Sequence, residues 1–189
     1  FLGFNNTAGK SNLTGNLQMQ LTNNLNKGER LTLKYRSDDN KQRLLEANVE
    51  IPYLLGTKLG AQAYAHLLRR DTIYQNNNFK AGLFFKPRWN QSMGISYVST
   101  SSVATSVNIL DVSDITTQGI EGTYNYEQIT SNKLKPINTR IAISLGLLSR
   151  KIKETTSTNQ TRIGINAIKQ VNILKQTSLF IDANLKMLL

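Results

Sequence analysis

The first place to look for chemistry in this sequence is two carboxylates and one imidazole: Glu46 and Glu50 in "RLLEANVE", and His66 in "AQAYAHLL". On an extended run, Glu46 and Glu50 stand about 13 Å apart, too far for a paired acid and base. His66 is the only histidine and shares its polar row with Gln62 and Tyr64. A lone histidine on a strand reads as structural before it reads as catalytic. The stretch "TAGKS" at 7–11 ends in Gly-Lys-Ser, but Gly3 lies one position too far upstream of Gly9 for a phosphate loop, and no helical pattern follows.

Composition narrows the chemistry further. The chain has no cysteine, which excludes disulfides, thiolate metal sites and cysteine nucleophiles, and one histidine cannot make a multi-histidine zinc site. The expectation is therefore no enzyme, no metal and no cofactor.

The remaining chemistry is electrostatic. Lys34 and Arg36 lie on one run with Glu46 and Glu50 on the next, and Glu121 and Glu127 precede a run that carries Arg140. Opposite charges on adjacent antiparallel strands pair across the ladder for roughly 0.2–1 kcal/mol each. These residues are expected to form ion pairs along one polar face, with solvated surface charge as the plainer alternative.

The elements that must carry these residues are strands. Leu17, Met19 and Leu21 alternate with Asn16, Gln18 and Gln20, and the same period of two recurs through Leu31–Tyr35, Leu45–Tyr53, Ala61–Leu67, Phe79–Phe85, Met93–Tyr97, Ile120–Tyr126, Ile141–Leu147, Ile163–Ala167 and Leu179–Met187. Short turn-like segments such as "NNLNKGE", "LLGTK" and "PRWNQ" join them, which favours antiparallel neighbours. One longer polar loop, "SSVATSVNILDVSDITTQ", interrupts the rhythm.

A soluble β-sandwich also alternates, with its apolar side toward a core. Three features favour a membrane barrel, one being the low mean hydropathy, since only alternate residues of such a barrel meet lipid. Runs of roughly 9–12 residues suit a tilted bilayer crossing better than a globular strand of about 5–6. Tyr53, Phe85 and Trp89 sit near strand ends, where an interfacial girdle belongs, while mid-strand positions are aliphatic. The expected fold is all-β, a transmembrane antiparallel up-and-down β-barrel of which this chain supplies about ten strands.

The formal charge of +11 points to an acidic partner. Nucleic acid would want basic residues concentrated with stacking aromatics. Instead Lys27, Lys58, Lys86, Arg88, Lys133, Lys135 and Lys175 fall at every second turn, with Arg69, Arg70, Arg150, Lys151 and Lys153 toward the opposite ends. Two basic rims fit anionic membrane lipids, including lipopolysaccharide, and no nucleic-acid partner is expected.

Residues 28–72, "GERLTLKYRSDDNKQRLLEANVEIPYLLGTKLGAQAYAHLLRRDT", resemble the early barrel strands of the BamA/TamA-type outer-membrane insertase superfamily. Gly28, the turn Pro52-Tyr53-Leu54-Leu55-Gly56 and the pair Arg70-Asp71 stand where that family has a glycine-led strand, a Pro-aromatic turn and a polar strand end. The opening "FLGFNNTAGKSNLTGNLQMQLTNNLNKGE" is similar to the family's first two strands, whereas "KLKPINTRI" keeps Pro136 without the family's aromatic-Pro-x-x-Gly. The resemblance implies a sixteen-stranded bacterial outer-membrane barrel, of which 1–189 is the part through the eleventh strand. POTRA repeats would precede it, and a sixth-loop Arg-Gly-Phe/Tyr motif would follow.

It also implies a role in inserting or translocating outer-membrane proteins, with nascent strands and accessory lipoproteins as partners. Phe1, Leu2, Gly3, Phe4 and Asn5 would then be the remnant of a lateral-gate strand. A two-partner-secretion transporter, a passive porin-type barrel and a soluble β-sandwich binding module are the alternatives.

Overall fold

The computed structural model describes residues 2–7, 10–37, 42–70, 74–104, 114–129, 137–152, 157–174 and 177–189. Eleven strands follow one another: β1 (Leu2–Thr7), β2 (Lys10–Thr22), β3 (Arg30–Ser37), β4 (Gln42–Ile51), β5 (Leu59–Arg70), β6 (Tyr74–Arg88), β7 (Gln91–Ala104), β8 (Ile115–Ile129), β9 (Ile137–Ile152), β10 (Thr158–Leu174) and β11 (Thr177–Leu188). They form one antiparallel sheet in strict sequence order, each strand paired with its chain neighbours. The sheet is not closed. Among the described residues β1 and β11 are its two edges, and no second sheet covers either face.

This refines one sequence expectation and corrects another. The strands number eleven because the short opening segment pairs with β2 along its full length. The long polar loop is also shorter than its composition suggests, since Ser101 pairs with Thr116 and Ser102 with Ile115. Serine and threonine on both faces erase the apolar alternation there, yet their backbones continue the ladder.

Turn residues explain how each strand reverses. Between β2 and β3, Asn23 and Asn26 take left-handed backbone angles, as does Gly28 at φ 70°. A β-carbon on Gly28 would lie 3.3 Å from Cγ of Pro52, so this turn nests against the one joining β4 to β5. That second turn holds the only helical element among the described residues, a single 3-10 turn at Leu54–Gly56. β6 and β7 are joined by Trp89 and Asn90 beside a register shift between Phe85 and Arg88.

Alternation gives the sheet two unlike faces. One carries Leu17, Leu33, Val49, Ala63, Leu83, Ile95, Ile120, Leu145 and Ile165, each roughly opposite an apolar residue on its neighbouring strand. Leu33 and Val49 are half-buried and the rest are exposed; Ile95 is 59% accessible and Leu145 52%, and Leu147 on the same row 65%. The other face carries most of the amides, hydroxyls and charges and most of the buried side chains, with Ser37 at the end of β3 an exception on the convex row. Phe84, Leu148 and Ser96 are 7%, 4% and 2% accessible.

Burial without a covering layer means that the polar face is concave and its own side chains crowd one another. Contacts between strands two apart agree, because side chains reach over an intervening strand only where the sheet curls toward them. A row of facing residues runs from Gln20, two positions before the end of β2, through Tyr64 and Lys80 to Gln160, two positions after the start of β10. It therefore climbs from one rim to the other, the stagger of a coiling sheet.

The accessible surface is 13599 Å² for a 21.2 kDa chain. A compact monomer of that mass presents about 9,100 Å². The excess is that of a single layer, and among the described residues Phe84, Leu148 and the turn residue Pro52 are the buried apolar side chains.

Candidate functional site

The concave face is the candidate site, and ion pairs organise it. Lys34 Nζ lies 3.4 Å from Glu46 Oε1 across the β3–β4 ladder, and Arg140 Nη2 lies 3.3 Å from Glu127 Oε1 across β8–β9. Both were legible as neighbours in sequence. Glu50 and Glu121 find partners elsewhere. Glu50 Oε1 accepts from Lys86 Nζ at 3.1 Å and Glu121 Oε1 from Lys80 Nζ at 2.6 Å, each bond spanning an intervening strand.

The corrections share one cause. Glu50 stands opposite Arg30 and Arg36 opposite Leu44, so neither Lys34 nor Arg36 faces Glu50 in the ladder. Concave curvature instead brings β4 toward β6 and β6 toward β8. Lys80 and Lys86 were missed because period-two reading compares adjacent strands only. A usable signal existed only for Lys86, in Gly60, a residue without a side chain on the β5 row between Glu50 and Lys86; between Lys80 and Glu121 the intervening strand carries Ser96 and Val98.

Other contacts follow the same pattern. Gln62 Nε2 donates to Ser96 Oγ at 3.2 Å from β5 to β7. The ammonium of Lys86 sits 4.9 Å from the centroid of the Phe84 ring, a cation–π contact. That ring occupies the space above Gly60, where a β-carbon would lie 2.2 Å from it. Glu46, Asn48, Gln62, Tyr64 and Lys80 line a cleft of about 250 Å³.

His66 lies on this face opposite Glu46, its ring edge-on to Tyr64 at 6.4 Å. Its Nε2 is buried and has no hydrogen-bond partner among the described residues. Among the described residues no group of three or more histidines and carboxylates converges as a metal site would require. The arrangement offers a wall of amides and locally neutralised charge, suited to contacting water, extended backbone or polar side chains.

The charges are sorted by face. Glu46, Glu50, Glu121, Glu127 and Asp182 all occupy concave rows. On the convex face the described charged residues are Arg43, Arg69, Lys151, Lys169 and, past the register shift at the very end of β6, Arg88. The first three each lie one position from a strand end, and Lys169 donates to Thr139 near the start of β9. The middle of the convex face carries none.

The rims are sorted too. Tyr53, Phe85 and Trp89 lie at one rim, with Lys27, Lys58, Lys86 and Arg88. Lys58 there donates to the carbonyl of Pro87 at 3.1 Å. Arg69, Arg70, Arg150 and Lys151 lie at the other. Lys133, Lys135, Lys153 and Lys175 fall outside the described residues, as does Phe1. Leu2, Gly3, Phe4 and Asn5 lie in β1, whose outer edge has no strand beside it among the described residues. Among the described residues no helix is long and apolar enough to cross a membrane, which says nothing of crossing by strands. No family model, curated protein or solved structure matches the chain.

Proposed function

We propose that this sheet is part of the wall of an outer-membrane β-barrel that acts in inserting or translocating other outer-membrane proteins. One observation carries the membrane half of this reading: eleven strands present a convex face that is apolar through its middle, with every described strand carboxylate on the concave side. In water such a face is unfavourable by roughly 25 cal/mol per Å², and it far exceeds the few hundred Å² of apolar patch that soluble monomers tolerate. In hydrocarbon the same face is at home, and the polar wall becomes the lumen side.

Open edges in lipid would leave backbone groups unsatisfied at several kcal/mol each, so the wall needs further strands to close it. The insertase half rests on the resemblance of residues 28–72 and of the opening segment. It gains support from the count of eleven strands, the number the resemblance implies for this stretch. An edge strand such as β1 can accept another strand by β-augmentation, which is the chemistry an insertase uses.

The test is to reconstitute the full-length protein in liposomes and follow folding of a denatured outer-membrane barrel supplied from outside. Faster folding than in empty liposomes supports the reading. Steady ion conductance without any acceleration would identify a passive pore instead.

A further inference from the structure

Resting on the membrane reading, we infer that Arg43 and Arg69 form a clip for the phosphate of an anionic lipid at the margin of the apolar belt. The two arginines are direct cross-strand partners on the convex face, Arg43 near the start of β4 and Arg69 near the end of β5. Like charges placed opposite one another destabilise a ladder, and an anion between them reverses the sign. Arg69 makes no hydrogen bond or ion pair among the described residues, while Arg43 keeps a contact of its own within the chain.

The ligand class follows from what surrounds the pair. Guanidinium groups match the oxygens of phosphate with two parallel hydrogen bonds, and no described convex residue is acidic. The next convex pair toward mid-strand is Leu45 opposite Leu67, and a cleft of about 240 Å³ is lined by both arginines and both leucines together with Tyr35 and Gln75. A charged head beside an aliphatic floor fits a phospholipid better than free phosphate, which has no use for the leucines. Arg70 and Arg150 share this rim but belong to concave rows, so they do not join the clip.

The full-length protein is placed in phosphatidylcholine nanodiscs containing phosphatidic acid, and native mass spectrometry counts the phosphatidic acid retained. Insertion is first verified by protease protection in phosphatidylcholine alone. The expected result is that R43Q/R69Q retains about tenfold less phosphatidic acid than the parent, the loss of charge-assisted bonds to one phosphate. R43K/R69K should keep part of the binding, and R150Q all of it. Equal retention by R43Q/R69Q and the parent overturns the clip while leaving the membrane reading intact. Displacement of the lipid by soluble inorganic phosphate overturns the lipid as its ligand. Failure of the parent to insert takes down the membrane reading and the clip together.

Discussion

Gln62 and Ser96 are joined by a 3.2 Å hydrogen bond that passes over Gly82 on the strand between them. A β-carbon at Gly82 would lie 2.3 Å from both Ser96 Oγ and the carbonyl oxygen of Ile95, so the contact exists because that position is bare. The concave face is packed against itself at such points. G82A is therefore expected to cost about 1–3 kcal/mol through overpacking. Gly122 provides the comparison, since a β-carbon there meets nothing closer than 3.9 Å. Urea unfolding in detergent micelles should separate the two variants, with G122A at or above the parent's midpoint.

The Lys80–Glu121 pair, 2.6 Å long with side chains 27% and 14% accessible, differs in kind from Lys34–Glu46, whose side chains are 46% and 30% accessible. E121Q should cost about 1.5–3 kcal/mol, the range for a hydrogen bond to a charged group. E46Q should cost about 1 kcal/mol or less, as exposed pairs do. A double-mutant cycle with K80M and K34M checks the order, which ordinary surface charge on both sites would not produce.

Glu29 sets the turn between β2 and β3. Its carboxylate accepts from the backbone N–H of Leu25 and, at 3.1 Å, from that of Lys27, while Gly28 donates to Asn23 Oδ1 at 2.8 Å. The bond from Leu25 is the main cause holding the Glu29 carboxyl below its ordinary value of 4.5. A carboxyl depressed in the folded state contributes stability that is present above the ordinary value and is lost as pH falls through the lowered one. NMR titration of the amides of Leu25 and Lys27 should report that lowered midpoint. In E29Q the acid dependence of those amides should disappear.

A bilayer around the convex face makes I95R expensive, about 2–4 kcal/mol if Ile95 lies near the midplane. On a water-exposed surface the same change at a residue 59% accessible stays within about 0.5 kcal/mol. Refolding of I95R into lipid vesicles, followed by its midpoint in urea, distinguishes the two. V103R, on the same convex row of β7 but one position from the strand end, should cost less than I95R because the penalty falls with distance from the midplane.

The sheet was legible because period two survives in every strand long enough to cross it, from Leu17 on β2 to Leu185 on β11. Two ion pairs were legible for the same reason, since Lys34 with Glu46 and Glu127 with Arg140 are ladder neighbours. Lys80 and Lys86 were hidden because their partners depend on curvature, which alternation does not encode. The upper parts of β7 and β8 were hidden because hydroxyl residues such as Ser99, Ser101 and Thr116 hydrogen-bond through the backbone without revealing a face. Arg69 was read as one of several basic residues of a rim and Arg43 was not singled out, because only the register sets the two opposite each other.

The most direct measurement uses the absence of cysteine from residues 1–189, with any cysteine elsewhere in the full-length protein replaced by serine. Single cysteines are introduced at Ile143, Leu145 and Leu147 on the convex row of β9, and at Ala142 and Ser144 on the concave row. Each is labelled with an environment-sensitive fluorophore in the full-length protein reconstituted with lipids brominated on their acyl chains. The membrane reading predicts strong quenching at 143, 145 and 147, and little at 142 and 144. Equal quenching on both rows, or quenching at neither with both open to an aqueous quencher, would contradict a lipid-facing convex wall.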